Sequence, residues 1–258
     1  MELRRLEEQE HQKTRKLWEE VFSDDTRAFL DYYYFIKTKE NEIWVIEEDG
    51  EIQSMLQLNP YQLQVAEHPF LCRYIIAVAT RAQYRSRGYM SSLLRKAMQE
   101  MYGKKEPFTF LMPAAEAIYT PYDFRFVYSQ RQAVFEKKAE TELIGEEDAT
   151  MFQAEELAAF AKERLFGTAR VYAVRDAHYY QTRVLEQQSE NGGIRMLKKD
   201  GKLVGIYCYA KEETCEVLEP LILPGYETVF WDSISGLSEK PVKVLACPEV
   251  LEPCARSV

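Results

Sequence analysis

The segment Arg85-Ser86-Arg87-Gly88-Tyr89-Met90 combines residue types whose order suits a definite chemistry. It lies between an apolar run, Leu71 to Thr80, and a stretch in which Met90, Leu93, Leu94, Ala97, Met98 and Met101 recur at three- and four-residue spacing. A strand that turns through glycine into a helix offers an anion the first helical N–H groups, which lack intrahelical acceptors, at the positive end of the dipole. Gly88 has no Cβ and lets backbone approach phosphate oxygens, while Arg85 and Arg87 add charge-assisted donors. The chemistry is recognition of a pyrophosphate, with a further phosphate also within the reach of the arginines. Neither GxxxxGK[ST] nor GxGxxG occurs in the chain, so this is neither a P-loop nor a dinucleotide fingerprint.

The elements that must position this segment are legible around it. Leu71-Cys72-Arg73-Tyr74-Ile75-Ile76-Ala77-Val78-Ala79-Thr80 predicts a central strand buried on both faces. The stripe after Gly88 predicts a helix from about Tyr89 to Gly103. Upstream, Ile43-Trp44-Val45-Ile46 and Ile52 to Leu58 flank Asp49-Gly50, a strong hairpin signal. Leu6, Trp18, Val21 and Phe22, then Phe29, Leu30, Tyr33 and Tyr34, predict two amphipathic helices. Downstream, residues 108–112 predict a short strand, 114–122 a helix ended or kinked by Pro121, and 126–128 and 133–135 further strand.

Beyond a charged stretch, residues 136–148, the pattern restarts with a helix at 151–165, a His178-Tyr179-Tyr180 group, and strands at 194–197 and 202–209 around Asp200-Gly201. From position 49 to position 200 the two Asp-Gly turns are 151 residues apart with similar elements about them, which predicts two related α/β halves. The second half has Leu223-Pro224-Gly225-Tyr226-Glu227 where the first has its arginine segment, and is expected to bind no cofactor.

Composition narrows the function. The chain has 258 residues, 46% of them hydrophobic and 29% charged, with no apolar run approaching the ~20 residues of a membrane span. Its charged N-terminus does not resemble a secretion signal, and a cytoplasmic location is expected. A net charge of −9 disfavours nucleic acid as a partner. Cys72, Cys208, Cys215, Cys247 and Cys254 form no CxxC pair, and His11, His68 and His178 are scattered, so neither a disulfide framework nor a metal site is expected.

The buried run ending in Val78-Ala79-Thr80, followed by Gln83-Tyr84-Arg85-Ser86-Arg87-Gly88-Tyr89-Met90 and an amphipathic helix, resembles the acetyl-CoA motif of GNAT N-acetyltransferases, (Q/R)xxGx(G/A). Met90 departs from the small residue usual at the last position, and Arg-Gly-Tyr-Met-Ser-Ser-Leu-Leu looks like the tandem-GNAT branch containing the enhanced-intracellular-survival acetyltransferases. Residues 113–124 are similar to the family's segment ending in Tyr-x-x-x-Gly-Phe, with Asp123 in place of the glycine.

The resemblance implies an α/β fold of two GNAT-like halves, each a mixed sheet flanked by helices. Residues 1–138 would bind acetyl-CoA, and 139–258 would be a degenerate copy shaping the acceptor side. Arg85, Ser86, Arg87, Gly88, Tyr89, Met90 and Ser91 would hold the pyrophosphate, and main-chain groups of Val78, Ala79 and Thr80 the pantetheine. Tyr119 would protonate the departing thiolate, with Tyr122 as the nearest alternative phenol. Glu116, one helical turn before Tyr119, is either a base or a solvated carboxylate. Tyr32-Tyr33-Tyr34-Phe35 either lines an amine pocket or packs between helix and sheet. In the survival branch a third, sterol-carrier-like region supplies the base; the 258 residues here end before such a region.

The function expected is direct acetyl transfer from acetyl-CoA to a primary amine of a small molecule or peptide, without metal. The composition permits a homo-oligomer. The rivals are a tandem GNAT-fold transferase with another acyl donor or aminoacyl-tRNA, and a non-catalytic CoA-binding or assembly module.

Overall fold

The computed structural model describes residues 1–135 and 145–246. In chain order the first elements are β1 (Glu2–Arg5), α1 (Arg15–Val21), α2 (Arg27–Phe35), β2 (Glu42–Glu48), β3 (Glu51–Val65), β4 (His68–Thr80), α3 (Tyr89–Gly103), β5 (Thr109–Phe110) and α4 (Glu116–Tyr119). There follow β6 (Arg131–Phe135), β7 (Gly145–Asp148), α5 (Ala154–Leu165), β8 (Val171–Ala173), α6 (Ala177–Ser189), β9 (Gly193–Lys199), β10 (Lys202–Lys211), β11 (Cys215–Ile222), α7 (Glu227–Ser235) and β12 (Val242–Ala246). They form two compact units, one of residues 1–124 with 170–174, the other of 125–169 with 175 onward.

The first unit is built on a mixed sheet ordered β1-β2-β3-β4-β5, in which β4 and β5 are parallel and β8 also pairs with β3. The predicted helix stripe packs against this sheet: Leu93, Leu94, Ala97 and Met101 of α3 are buried with Trp44, Ile46, Leu56, Leu58 and Ile75. Leu93 and Leu94 are completely covered, and burying each stabilises the placement of α3 by about 1.5–3 kcal/mol. Elsewhere in the unit, Trp18 meets Tyr33 at 4.6 Å between ring centroids. The Tyr33 hydroxyl sits 3.2 Å from both Gln57 Oε1 and Asn59 Oδ1. Tyr32, Tyr33 and Tyr34 are all buried, so the aromatic group packs the fold, and Phe35 alone of the four is exposed.

The second unit repeats the plan in a sheet ordered β6-β12-β11-β10-β9-β7. Both Asp-Gly turns have two residues at positive φ, Asp49 and Gly50 at 56° and 75°, Asp200 and Gly201 at 51° and 75°, the geometry whose twist suits a tight hairpin. The irregularities repeat as well. Gln53 is an extra residue in β3 opposite Ile46 and Glu47, and Val204 is the extra residue in β10 opposite Leu197 and Lys198, again 151 positions on. The second half thus repeats the first down to its bulge.

Several expectations change. Leu6 is not helical: the chain starts as β1, an edge strand antiparallel to β2, because Leu3 and Leu6 gain burial there and Arg4 an ion pair with Glu47. The strand covered on both faces is β3, with every residue from Ile52 to Asn59 buried, whereas β4 is one from the edge and only alternately buried. Residues 126–128 form no strand and are exposed. Residues 131–135, placed with the first half by a boundary at 138, pair as β6 with β12 of the second sheet, while Val171–Ala173 returns to the first. Within the charged stretch Gly145–Asp148 is strand β7. Cys72, Cys208 and Cys215 are buried free thiols; Cys247, Cys254 and the boundary at 138 lie outside the described residues.

Candidate functional site

The end of β4 is open on one side. β3 pairs with it through to Thr80, but β5 accompanies it only at Arg73↔Thr109 and Tyr74↔Phe110. From Ile75 to Thr80 the edge away from β3 has no strand neighbour among the described residues, so its main-chain donors and acceptors are available to a ligand. A bulge interrupts β4 between its pairs Gln57↔Ile76 and Met55↔Ala79, where Ala77 takes a φ of 51°. The Ser54 hydroxyl fixes the strand's last residues, donating to the Ala79 carbonyl at 2.9 Å and meeting the Thr80 hydroxyl at 2.7 Å.

The turn into α3 has the form an anion site requires. Arg81 is buried between Glu20 and Glu51 and anchors the turn. Arg85 then donates through Nε to the Thr80 carbonyl at 3.2 Å. Ser86 and Gly88 adopt φ of 61° and 80° and swing the chain into the helix, whose first turn has no side-chain cap. Tyr89 and Met90 send their side chains into the core beneath α3, so what they and Ser91 offer an anion is backbone N–H. The Tyr89 hydroxyl donates to Glu48 of β2, tying the helix start to the hairpin.

Charge is left unpaired at this turn. Arg4, Arg15, Arg73 and Arg81 each meet two carboxylates. Arg85 and Arg87 meet none among the described residues, in a chain of net charge −9. The Arg87 guanidinium instead lies 4.7 Å from the centroid of the Tyr84 ring, which sits 6.0 Å from that of Tyr89. Two cations held on aromatic and backbone supports beside an uncapped helix start are set out for phosphate.

Tyr119 ends α4, half-buried against the same core, with its ring 5.8 Å from Phe124. Burial, with a smaller contribution from Tyr74, pushes its phenol above the usual range. Such a group keeps its proton at neutral pH and can deliver it to a stronger base formed beside it. Asp123 stands where the family motif has glycine, at a φ of 65°; aspartate is among the residues that tolerate this left-handed conformation, so the turn survives the exchange. Glu116 is exposed, which favours the solvated carboxylate. Sequence reasoning missed Glu48 and Ser54, since nothing in the spacing couples positions 48 and 89 or 54 and 80.

Residues 2–127 match the family of the acetyltransferase (GNAT) domain. The match covers just under half of the chain and falls on the first unit. No curated protein matches the chain in sequence. Among solved structures, a probable N-acyltransferase from Enterococcus faecalis V583 superposes at a TM-score of 0.78 with 14% identity, covering 94% of this chain and 64% of that one. A GCN5-related N-acetyltransferase from Kribbella flavida gives 0.75 with 13% identity, over 96% and 65%. Eis1 from Mycobacterium abscessus gives 0.65 with 14% identity, over 95% and 65%. At these identities the likeness is one of fold, and it extends beyond residues 2–127 to both halves of the chain. The chain spans about two thirds of the length of these structures. No described helix is long and apolar enough to cross a membrane, and no group of three or more metal-ligating side chains occurs among the described residues.

Proposed function

We propose that this protein is an N-acetyltransferase that moves the acetyl group of acetyl-CoA directly to a primary amine of a small molecule or peptide. The observation that carries the reading is the continuity of three features: the unpaired edge of β4 from Ile75 to Thr80, the uncapped start of α3, and the unpaired Arg85 and Arg87 between them. Pantetheine amides would pair with main chain of Val78, Ala79 and Thr80, and the pyrophosphate would take the amides of Tyr89, Met90 and Ser91 with the two guanidinium groups. The amine nitrogen bonds to the thioester carbon as the carbon–sulfur bond breaks. The amine's proton goes to solvent or a base, and Tyr119 protonates the departing sulfur. The second half, by this reading, binds no CoA.

Calorimetric titration of the full chain with CoA and acetyl-CoA tests it. Wild type should bind both, and Arg85→Ala/Arg87→Ala should lose at least about tenfold in affinity, since each charged hydrogen bond is worth about 1.5–3 kcal/mol. A wild type that binds neither ligand overturns the assignment. Binding without thioester cleavage on a broad amine panel would instead make the chain a non-catalytic CoA-binding module.

A further inference from the structure

A third unpaired cation continues the line of Arg85 and Arg87. Arg95 lies seven residues after Gly88, two turns along α3 on the same face, about 9 Å past the helix start. Gly88, Ser91 and Ser92 precede it on that face, and neither serine has a side chain long enough to cover the track. Arg95 is exposed and meets no carboxylate among the described residues, although Lys96 beside it is paired with Glu100. Its guanidinium carbon lies 5.9 Å from the ring centroid of Tyr122, the other phenol of the α4 segment, which supports the arginine without neutralising it.

Resting on the acyl-CoA reading, we propose that Arg95, held by Tyr122, receives the 3′-phosphate of the cosubstrate's adenosine and so selects CoA over its dephospho form. A nucleoside carrying a 5′-diphosphate and a 3′-phosphate presents its anions one ribose apart. With the diphosphate at the start of α3, an arginine two turns along the same face is placed for the third. A point charge on a flexible stem would be less suited than a planar guanidinium supported on a ring, because the fork can grip two phosphate oxygens while its other face keeps the aromatic contact. Tyr122 thereby acquires a role distinct from that of Tyr119: it positions a cation and does not transfer a proton.

CoA and dephospho-CoA differ only in this phosphate, so calorimetry of the full chain with each separates the ideas. Wild type should prefer CoA by about tenfold, the size of one charge-assisted contact at an exposed site. Arg95→Gln should bring CoA down to the affinity of dephospho-CoA and leave the latter unchanged, whereas Arg85→Gln should weaken both together. Tyr122→Leu should erode the preference, and Tyr122→Phe, which keeps the ring, should retain it. Equal binding of the two ligands by wild type, or a preference that survives Arg95→Gln, overturns this subsite and leaves the diphosphate site standing. Failure of wild type to bind either ligand overturns the acyl-CoA reading itself.

Discussion

Ala77 and Glu219 occupy one place in two copies of the same backbone. Each is an extra residue at a bulge, Ala77 between the pairs made by Gln57 and Met55, Glu219 between those made by Cys208 and Ile206, and their φ values are 51° and 54°. In the first unit the bulge carries a methyl group, and the strand edge beyond it has no neighbour on the side of β5. In the second, β11 and β12 stay paired from Cys215↔Val242 to Leu218↔Leu245, right up to the bulge. There the Glu219 carboxylate takes the Tyr179 hydroxyl at 2.7 Å, Arg183 at 3.2 Å and Arg175 at 3.4 Å. The same left-handed kink therefore carries a bare methyl group in one unit and an ion-paired carboxylate in the other.

The largest effect should come from breaking the ion cluster of the second copy. Burial opposes the charge on Glu219, but Arg175, Arg183 and the Tyr179 hydroxyl outweigh it and hold the carboxyl down at about 2. Glu219→Gln leaves the half-buried Arg175 without its carboxylate and Arg183 with Glu186 alone, and should cost about 3 kcal/mol in urea denaturation. The sign with pH follows. A carboxyl lowered from 4.5 to about 2 by folding stabilises the native state above pH 4.5 and loses that contribution as pH falls toward 2. Wild type should therefore show an acid-sensitive component between these values that the variant lacks. An unchanged denaturation midpoint would show the knot to be incidental.

In the first copy the test is kinetic. Tyr119→Phe should lower kcat by about 100-fold, the lower end of general acid catalysis, with acetyl-CoA affinity unaltered. Loss of affinity in step with rate would make the residue a packing element. The smallest effect pairs two glycines, Gly88 at φ 80° and Gly225 at φ 88°, where an added Cβ meets nothing within 4 Å. Alanine at either should cost about 1–2 kcal/mol of stability through backbone strain alone. Only Gly88→Ala should also weaken CoA binding; an equal effect of Gly225→Ala on CoA affinity would place a ligand in the second unit.

Features specified by local sequence were legible. The stripe from Met90 to Met101 placed α3 within its observed bounds, and Asp49-Gly50 and Asp200-Gly201 marked both hairpins because only residues that accept positive φ fit such turns. Features that depend on a distant partner were not. Gly145-Glu146-Glu147-Asp148 is polar and exposed, and becomes a strand because β9 offers it an edge and Arg195 and Lys198 offer counter-charges. The run at β4 reads as doubly buried because its residues are almost uniformly apolar, although only alternate ones are covered. Arg85, Arg87 and Gly88 could be singled out by type and order, whereas Tyr119 could be chosen among 17 tyrosines only through the family motif.

The exchange of short strands between the units sets a schedule for the ribosome. Leu63 in β3 pairs with Ala173, 110 positions later, and Phe135 in β6 pairs with Val242, 107 positions later. At about 5–20 residues per second, each early strand waits roughly 5–20 s for its partner to be synthesised. During that interval the far end of β3 is a bare edge, the kind of surface that recruits other chains. The first unit is completed only by residues 170–174, which follow residues 125–169 of the second, so its folding overlaps the synthesis of the second.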